Sequence, residues 1–340
     1  MPVKKRLKNL LARVFVAGGG CERLRRRQAG RLVVIYYHRL VPEGGMIDAN
    51  LPGMYVSEGA FAEQLRLLQE RYHPMSEEAL LAACRGDTPW PRYPVVVTFD
   101  DGYQDNLTLA APILKRYQVP WLLFATTGFI DNEVTPWFDT LFLLCRGRDE
   151  LRFQGEVIAC EGLTTGRGCA AHRRLFRQLA ALPGPARERW LMAVLAENGV
   201  DRQALSAGLF GTWDGLAALG PSVGIGGHTR SHPFLSHLTP EQATAEIVPA
   251  RDRLSSRLGR RIETFAYPTG RREDFNAETI AILERHHFTC AFTTCYGIND
   301  LSPGPDRYRL HRIGIDYFDT IQTFHMKITG GWRWFAANRP

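Results

Sequence analysis

Val95-Val96-Val97-Thr98-Phe99-Asp100-Asp101-Gly102 decides how this chain is read. Five β-branched or aromatic residues run without polar alternation, the pattern of a parallel strand covered on both faces. Two adjacent acids at the end of such a strand are costly unless they bind something or one must stay ionised. Neighbouring side chains diverge at a strand end. One carboxylate can therefore hold a metal while the other works as a base.

Six similar runs lie around it: Leu32–His38, Trp121–Phe129, Val223–His228, Thr264–Tyr267, Phe288–Thr293 and Arg309–Ile315. Helical patterns separate them. Phe61–Tyr72 carries Phe61, Leu65 and Leu68 on one face, and Thr239-Pro240-Glu241-Gln242 is a capping box with proline at the first helical position. That helix runs towards a stop at Gly259, with a kink expected at Pro249. Alternating strand and helix predicts an α/β, barrel-like fold. Residues 131–212 break the rhythm, with helical patterns and a hairpin around Gln154-Gly155. A gap of ~80 residues, where loops ordinarily have ~2–6, reads as a mainly helical insertion.

The 340 residues are 45% hydrophobic and 23% charged, an ordinary globular balance. No apolar run reaches membrane-span length. Leu10–Gly20 is too short, and too interrupted by Arg13, for a secretory signal. The seven cysteines include no CxxC pair, which excludes a zinc knuckle and predicts free thiols. Of the net charge of +7, residues 1–31 carry +9, leaving −2 for the rest. Within that arm Leu7, Leu10, Leu11, Val14 and Phe15 share a helical stripe. A basic amphipathic helix suits an anionic membrane surface, or else docks on its own domain. No nucleic-acid reading module follows it. The expected place is the cytoplasm, or the cytoplasmic face of the inner membrane.

Far downstream, His228 and His232 stand four apart, directly after a strand. On a helical turn that spacing puts both imidazoles on one side. Two histidines and one aspartate make a catalytic site for one divalent metal, with zinc favoured and cobalt, nickel or manganese also accepted. In barrels, catalytic groups gather at the C-terminal ends of strands. Asp100, Asp101, His228, Pro268 and His311 all sit at such ends. Gly220-Pro221-Ser222-Val223-Gly224 matches GxSxG by accident, because Ser222 precedes a strand instead of following one.

Three motifs, in order, resemble the polysaccharide deacetylases, carbohydrate esterase family four with its NodB-like homology domain. They are Thr98-Phe99-Asp100-Asp101-Gly102-Tyr103, His228-Thr229-Arg230-Ser231-His232-Pro233 and Phe265-Ala266-Tyr267-Pro268-Thr269-Gly270. The resemblance implies a distorted (β/α)7-8 barrel over 32–316, interrupted by insertion 131–212, with a basic arm 1–31 and a tail 317–340. It implies Asp101, His228 and His232 as metal ligands, Asp100 as general base and the Tyr103 backbone N–H as an oxyanion donor. His311 is the candidate proton donor. His38, Tyr267 and Pro268 are candidates for the sugar groove. The family's third motif carries an arginine where this chain has Ala266, so either Arg271 or Arg272 replaces it from the following loop or something else orients the base.

The function implied is metal-dependent removal of N-linked acetyl groups from an amino-sugar glycan or its precursor. Two other readings stand beside it. One is an amidase acting on a small non-glycan amide. The other is a non-catalytic glycan-binding scaffold.

Overall fold

The computed structural model describes residues 3–302 and 304–331. They fall into two compact units, one of residues 1–47, 52–130 and 211–340 and one of residues 48–51 and 131–210. In the first unit seven parallel strands form a barrel: β1 (Arg31–Tyr37), β2 (Pro94–Phe99), β3 (Trp121–Ala125), β4 (Gly224–Gly227), β5 (Thr264–Ala266), β6 (Cys290–Tyr296) and β7 (Leu310–Gly314). Their order is β1-β7-β6-β5-β4-β3-β2. The ring closes where β2 pairs with β1, from Val33 opposite Val95 to Tyr37 opposite Phe99.

Side-chain parity divides each strand. Tyr37 and Phe99 meet Phe61, on the helix Glu58–Arg71, at 5.1 and 5.6 Å, so odd positions of β1 and β2 face the helices. Even positions (Leu32, Val34, Val96, Phe124, Phe292, Leu310) form the cluster that fills the barrel. Both faces are buried, which is why the strands read as unbroken apolar runs.

The sequence Gly-Ile-Gly-Gly of β4 is a poor strand former by propensity. Packing explains it. A Cβ at Gly226 would lie 2.4 Å from the Phe124 ring and 2.6 Å from Thr264 Oγ1. Glycine leaves room for the bulk that neighbouring strands supply. The ladder from Leu122 opposite Gly224 to Ala125 opposite Gly227 holds β4 in place.

β3 stops four residues short of the expected Phe129. Thr126 Oγ1 donates to the His228 carbonyl, and the Thr127 and Gly128 N–H groups donate to the Thr229 and Arg230 carbonyls. The backbone thereby leaves the ladder and turns into the short helix Thr127–Ile130. The helix Pro240–Leu258 has its capping box complete at Thr239 and Gln242, passes through Pro249, and ends at left-handed Gly259.

The second unit contains the helices Trp137–Arg146, Gly166–Ala180, Gly184–Glu197 and Arg202–Ser206. Its hairpin, Glu150–Phe153 with Glu156–Ala159, turns through Gln154 and Gly155, both at positive φ. Leu141, Leu144, Leu151, Leu175 and Leu191 belong to a core of its own. The unit ends at Phe210 and also takes in residues 48–51. Buried Asp48 accepts the Asn50 N–H and lies 3.8 Å from buried His172.

The basic arm is not detached. Its helix Val3–Ala17 packs on the helix Ile321–Ile328, burying Ala12 against Cys21 and Met326. The expected stripe splits: Phe15 packs at this contact, whereas Leu10, Leu11 and Val14 are 57%, 42% and 63% exposed. The Leu7 side chain and residues 332–340 of the expected tail lie outside the described residues. Among the described residues, no helix is long and apolar enough to cross a membrane. All seven cysteines are free thiols.

Gly226→Ala should destabilise the barrel by about 1–3 kcal/mol, the usual cost of overpacking a filled core. The midpoint of urea unfolding should fall accordingly; an unchanged midpoint would show that Phe124 can move aside.

Candidate active site and metal centre

Asp100 continues the β1–β2 ladder, its N–H donating to the Tyr37 carbonyl. The chain then bends through Asp101 (φ 73°) and Gly102 (φ 83°). A side chain at Gly102 would crowd Ile130 Cδ1 at 3.0 Å. The left-handed turn is unfavourable for an aspartate and separates the two carboxylates.

Asp101 Oδ1 lies 3.4 Å from His228 Nε2 and 3.5 Å from His232 Nε2, and the three donor atoms fall within 4.8 Å of one another. His228 Nδ1 is 2.7 Å from the Ala266 carbonyl, which fixes that nitrogen as the N–H and turns the Nε2 lone pair towards Asp101. Among the described residues, Asp101 Oδ1 is buried with no hydrogen-bond donor. Lone pairs converging on one buried point fit a divalent cation. Burial lowers His232 to about 4, Asp101 pulling the other way, so this imidazole is neutral and ready to ligate at neutral pH.

The loop carrying the histidines is held from outside. The Glu246 carboxylate, on the helix Pro240–Leu258, accepts the Ser231 N–H at 2.8 Å, the Ser231 hydroxyl at 2.7 Å and the Arg230 N–H at 3.1 Å. The His232 N–H donates to Thr229 Oγ1, and the Phe129 ring stacks on the His232 imidazole at 5.9 Å.

Asp100 is gripped by Arg312, from Nη1 to Oδ1 at 2.7 Å and from Nη2 to Oδ2 at 2.8 Å, with both side chains buried. Arg312 also donates from Nε to the Thr293 carbonyl and from Nη1 to Thr98 Oγ1. The Tyr36 and Phe124 rings flank it at 4.6 and 5.8 Å. Burial alone would raise the Asp100 carboxyl, but Arg312 and His228 outweigh it and hold the group below its ordinary value. Arg312, and not Arg271 or Arg272, therefore orients this carboxylate.

Three sequence-based expectations need correction. Arg312 points into the barrel, so His311 beside it points out, where it packs on Gly297. Its neighbours in an outer cavity are Arg272, Asn299 and Asp306, on the other face of the strand from Asp100. Tyr267, also at an odd position, is fully buried, stacks on Phe275 at 4.0 Å and donates its hydroxyl to the Tyr308 carbonyl. It is a core residue and cannot line a groove. Pro268 is buried too; its carbonyl accepts the Gly270 N–H and shapes a turn. The Tyr103 side chain is buried under the Arg39 guanidinium, which leaves only its backbone for any role in the site.

His38 lies close to these groups. It follows Tyr36 on the inward side of β1, with the rings 5.6 Å apart, and Asn106 Nδ2 donates to its carbonyl at 2.6 Å. Its Nδ1 is buried without a partner, and the ring senses the charges of Asp101, Asp100, Arg312 and His228. Burial lowers its pKa, although the two aspartates oppose the shift. Asn299 sets the phase of β7: its Oδ1 accepts the His311 N–H at 2.8 Å, and its Nδ2 donates to the His311 and Leu32 carbonyls. Sequence reading missed Arg312, Glu246, Asn299 and Tyr36. For Arg312 the sequence of the last strand, Leu310–Gly314, offered no alternation from which its inward parity could be read.

A seven-stranded barrel with a carboxylate, two imidazoles and an arginine-held second carboxylate at its strand ends defines a class of metal-site α/β barrels. The profile of the polysaccharide deacetylase family matches residues 87–157 and 196–291, and the chain belongs to this family. Over 101 residues it is 36% identical to the poly-beta-1,6-N-acetyl-D-glucosamine N-deacetylase of Escherichia coli (strain K12). That stretch covers 29% of this chain and 14% of the E. coli protein. The Streptococcus pyogenes deacetylase PplD, solved with acetate, is 18% identical with a TM-score of 0.58 over 88% of this chain and 98% of that one. IcaB from Ammonifex degensii is 19% identical with a TM-score of 0.56 over 88% and 97%. At these identities the structural likeness is one of fold.

Arg312→Met leaves a buried carboxylate unpaired and should cost about 3–5 kcal/mol at neutral pH. The native Asp100 pKa is depressed, so the pair stabilises the fold above the unfolded aspartate pKa and loses that effect as pH falls. In the variant burial raises the unpaired carboxyl, which takes up a proton sooner. Urea unfolding at pH 7 and pH 5 should show the gap between the two proteins narrowing in acid; a pH-independent gap would refute this account.

Proposed function

We propose that this chain is a metal-dependent N-deacetylase of an amino-sugar glycan or its precursor. The observation that carries the reading is the Arg312-held Asp100 directly beside the cluster of Asp101, His228 and His232. Asp101, His228 and His232 would hold a divalent cation, zinc by their donor set, and bound there it would supply Lewis-acid polarisation of the acyl oxygen and a more acidic water. Asp100, kept ionised by Arg312, takes a proton as water attacks the acetamide carbon. The Tyr103 backbone N–H donates to the developing oxyanion. As the C–N bond breaks, the proton that Asp100 took from water passes by way of His38 to the departing amine, leaving acetate and a free amino sugar with both side chains restored. His38 takes the role expected of His311 because it is on the inward side of its strand.

The E. coli relative is named for poly-beta-1,6-N-acetyl-D-glucosamine. Oligomers of that sugar are therefore the first substrate to try. With them, replacing Asp100 by Asn or His38 by Gln should lower the rate of acetate release by about 10²–10⁴-fold while bound metal is retained. His311→Gln should stay within about 3-fold of wild type, well short of the loss for a proton-transfer group. Bound metal with acetate released only from small amides would favour the amidase reading. No metal, with no effect of Asp100→Asn, would favour the scaffold.

We also propose that the helix Val3–Ala17 rests on an anionic membrane surface, which would place the enzyme on the cytoplasmic face of the inner membrane. The reading is supported by exposed Leu10, Leu11 and Val14 in a segment carrying +9. Wild type should co-sediment with vesicles containing phosphatidylglycerol and not with pure phosphatidylcholine. Leu10→Gln with Val14→Gln should abolish the difference. Equal recovery of both proteins in the supernatant would dispose of it.

A further inference from the structure

Tyr36 is the penultimate residue of β1, level with Thr98 on β2 and Gly314 on β7. In parallel strands, residues side by side send their side chains to the same face. Tyr36 therefore shares the inward face with Thr98, which accepts from Arg312. The ring is fixed on several sides. The Arg312 guanidinium lies 4.6 Å from its centroid, and the His38 imidazole meets its edge at 5.6 Å. The Gly314 backbone closes a third side, since a Cβ there would lie 2.6 Å from the Tyr36 Oη.

A phenylalanine would give the same ring contacts. What tyrosine adds is a hydroxyl, and the neighbouring strand keeps a glycine where that hydroxyl passes. Tyr36 is only half-buried, and among the described residues its hydroxyl has no hydrogen-bond partner. The other polar groups around it are engaged: Arg312 has Asp100, Thr98 and Thr293, and Thr98 Oγ1 donates to the Ile35 carbonyl. A rigid phenol beside the guanidinium that holds Asp100 and the imidazole of His38 is preorganised for a ligand hydroxyl.

We infer that Tyr36 recognises the substrate through the sugar hydroxyl vicinal to the acetamido carbon. The assignment rests on the glycan reading above. The acetamido carbon of an N-acetylhexosamine has two ring neighbours. One is the anomeric carbon, whose oxygen is used in linkage. The other bears a hydroxyl that can donate and accept, as a phenol can. With the acetamide between Asp100 and His38, that hydroxyl is the sugar group next to the reacting bond. Tyr36 is thus a specificity residue, acting on the sugar ring and taking no part in the proton transfers.

The test compares wild type and Tyr36→Phe on an N-acetylglucosamine oligomer, on its analogue lacking the vicinal hydroxyl, and on nitrophenyl acetate, which has no sugar. The substitution keeps the ring against Arg312, so folding and the acid limb of the pH profile should not change. Wild type should lose about 10-fold in kcat/KM when the sugar hydroxyl is removed, the scale of one net hydrogen bond. Tyr36→Phe should show the same loss on the intact oligomer and no further loss on the analogue, the non-additivity of two partners in one bond. Both proteins should cleave nitrophenyl acetate alike. Equal turnover of the intact oligomer by wild type and Tyr36→Phe would overturn the Tyr36 assignment and leave the glycan reading standing. Independent, additive losses, or an equal loss on nitrophenyl acetate, would also overturn it, showing a role through Arg312. If wild type cleaved the ester and released no acetate from any oligomer, the glycan reading would fall, and the Tyr36 assignment with it.

Discussion

A carboxylate and a guanidinium shut inside an apolar barrel set the terms for the rest of this active site. Neither Asp100 nor Arg312 tolerates burial alone, and neither is fully compensated by the other, because desolvating two ions costs several kcal/mol each. Two further guanidinium hydrogens go to the Thr293 carbonyl and Thr98 Oγ1, and two aromatic rings cover its faces. Strands β1, β2, β3, β6 and β7 all supply groups to this one pair. The barrel must therefore close in the correct register for the pair to exist at all. With the pair in place, an ionised carboxylate stands beside a cluster of lone pairs in a site that would otherwise favour its neutral form.

The lone-pair cluster depends on a different kind of constraint. Asp101 and His232 both sit at positive φ, an arrangement that costs on the order of 1–3 kcal/mol per residue and persists only where the surroundings enforce it. For His232 the enforcement comes from Glu246, which binds three donors of the loop at once. For Asp101 it comes from Gly102, which lets the backbone pass beneath Ile130. Strain of this kind is well placed where three electron-rich atoms must meet before any cation arrives.

The local features of this architecture could be read from the chain. Each barrel strand is buried on both faces and so appears as an apolar run, and even β4 announced itself through the ordered strand-to-histidine junction. Asp100-Asp101 and His228-Thr229-Arg230-Ser231-His232 were visible because each motif is contiguous. Other features depend on distance or phase. Arg312 is 212 positions from the carboxylate it holds. It also sits next to a histidine in Leu310-His311-Arg312-Ile313-Gly314, a strand without alternation to tell inside from outside. Tyr267 was misread for the same reason, since its parity, and not its chemistry, sends it into the core. Residues 48–51 join the second unit through Asp48, a contact with no sequence signal.

Asn299 shows how such a phase is held in place. Its amide takes both backbone groups of His311 and bonds the Leu32 carbonyl, so one side chain pins the last strand to the first. The chain between this pin and Leu310 adds bonds of its own, the Arg307 carbonyl accepting the Ala291 N–H and the Tyr308 hydroxyl donating to the Phe288 carbonyl. A one-residue slip of the last strand would turn His311 inward and Arg312 outward. The base of the barrel and the charge inside it are thus secured by an amide that touches neither.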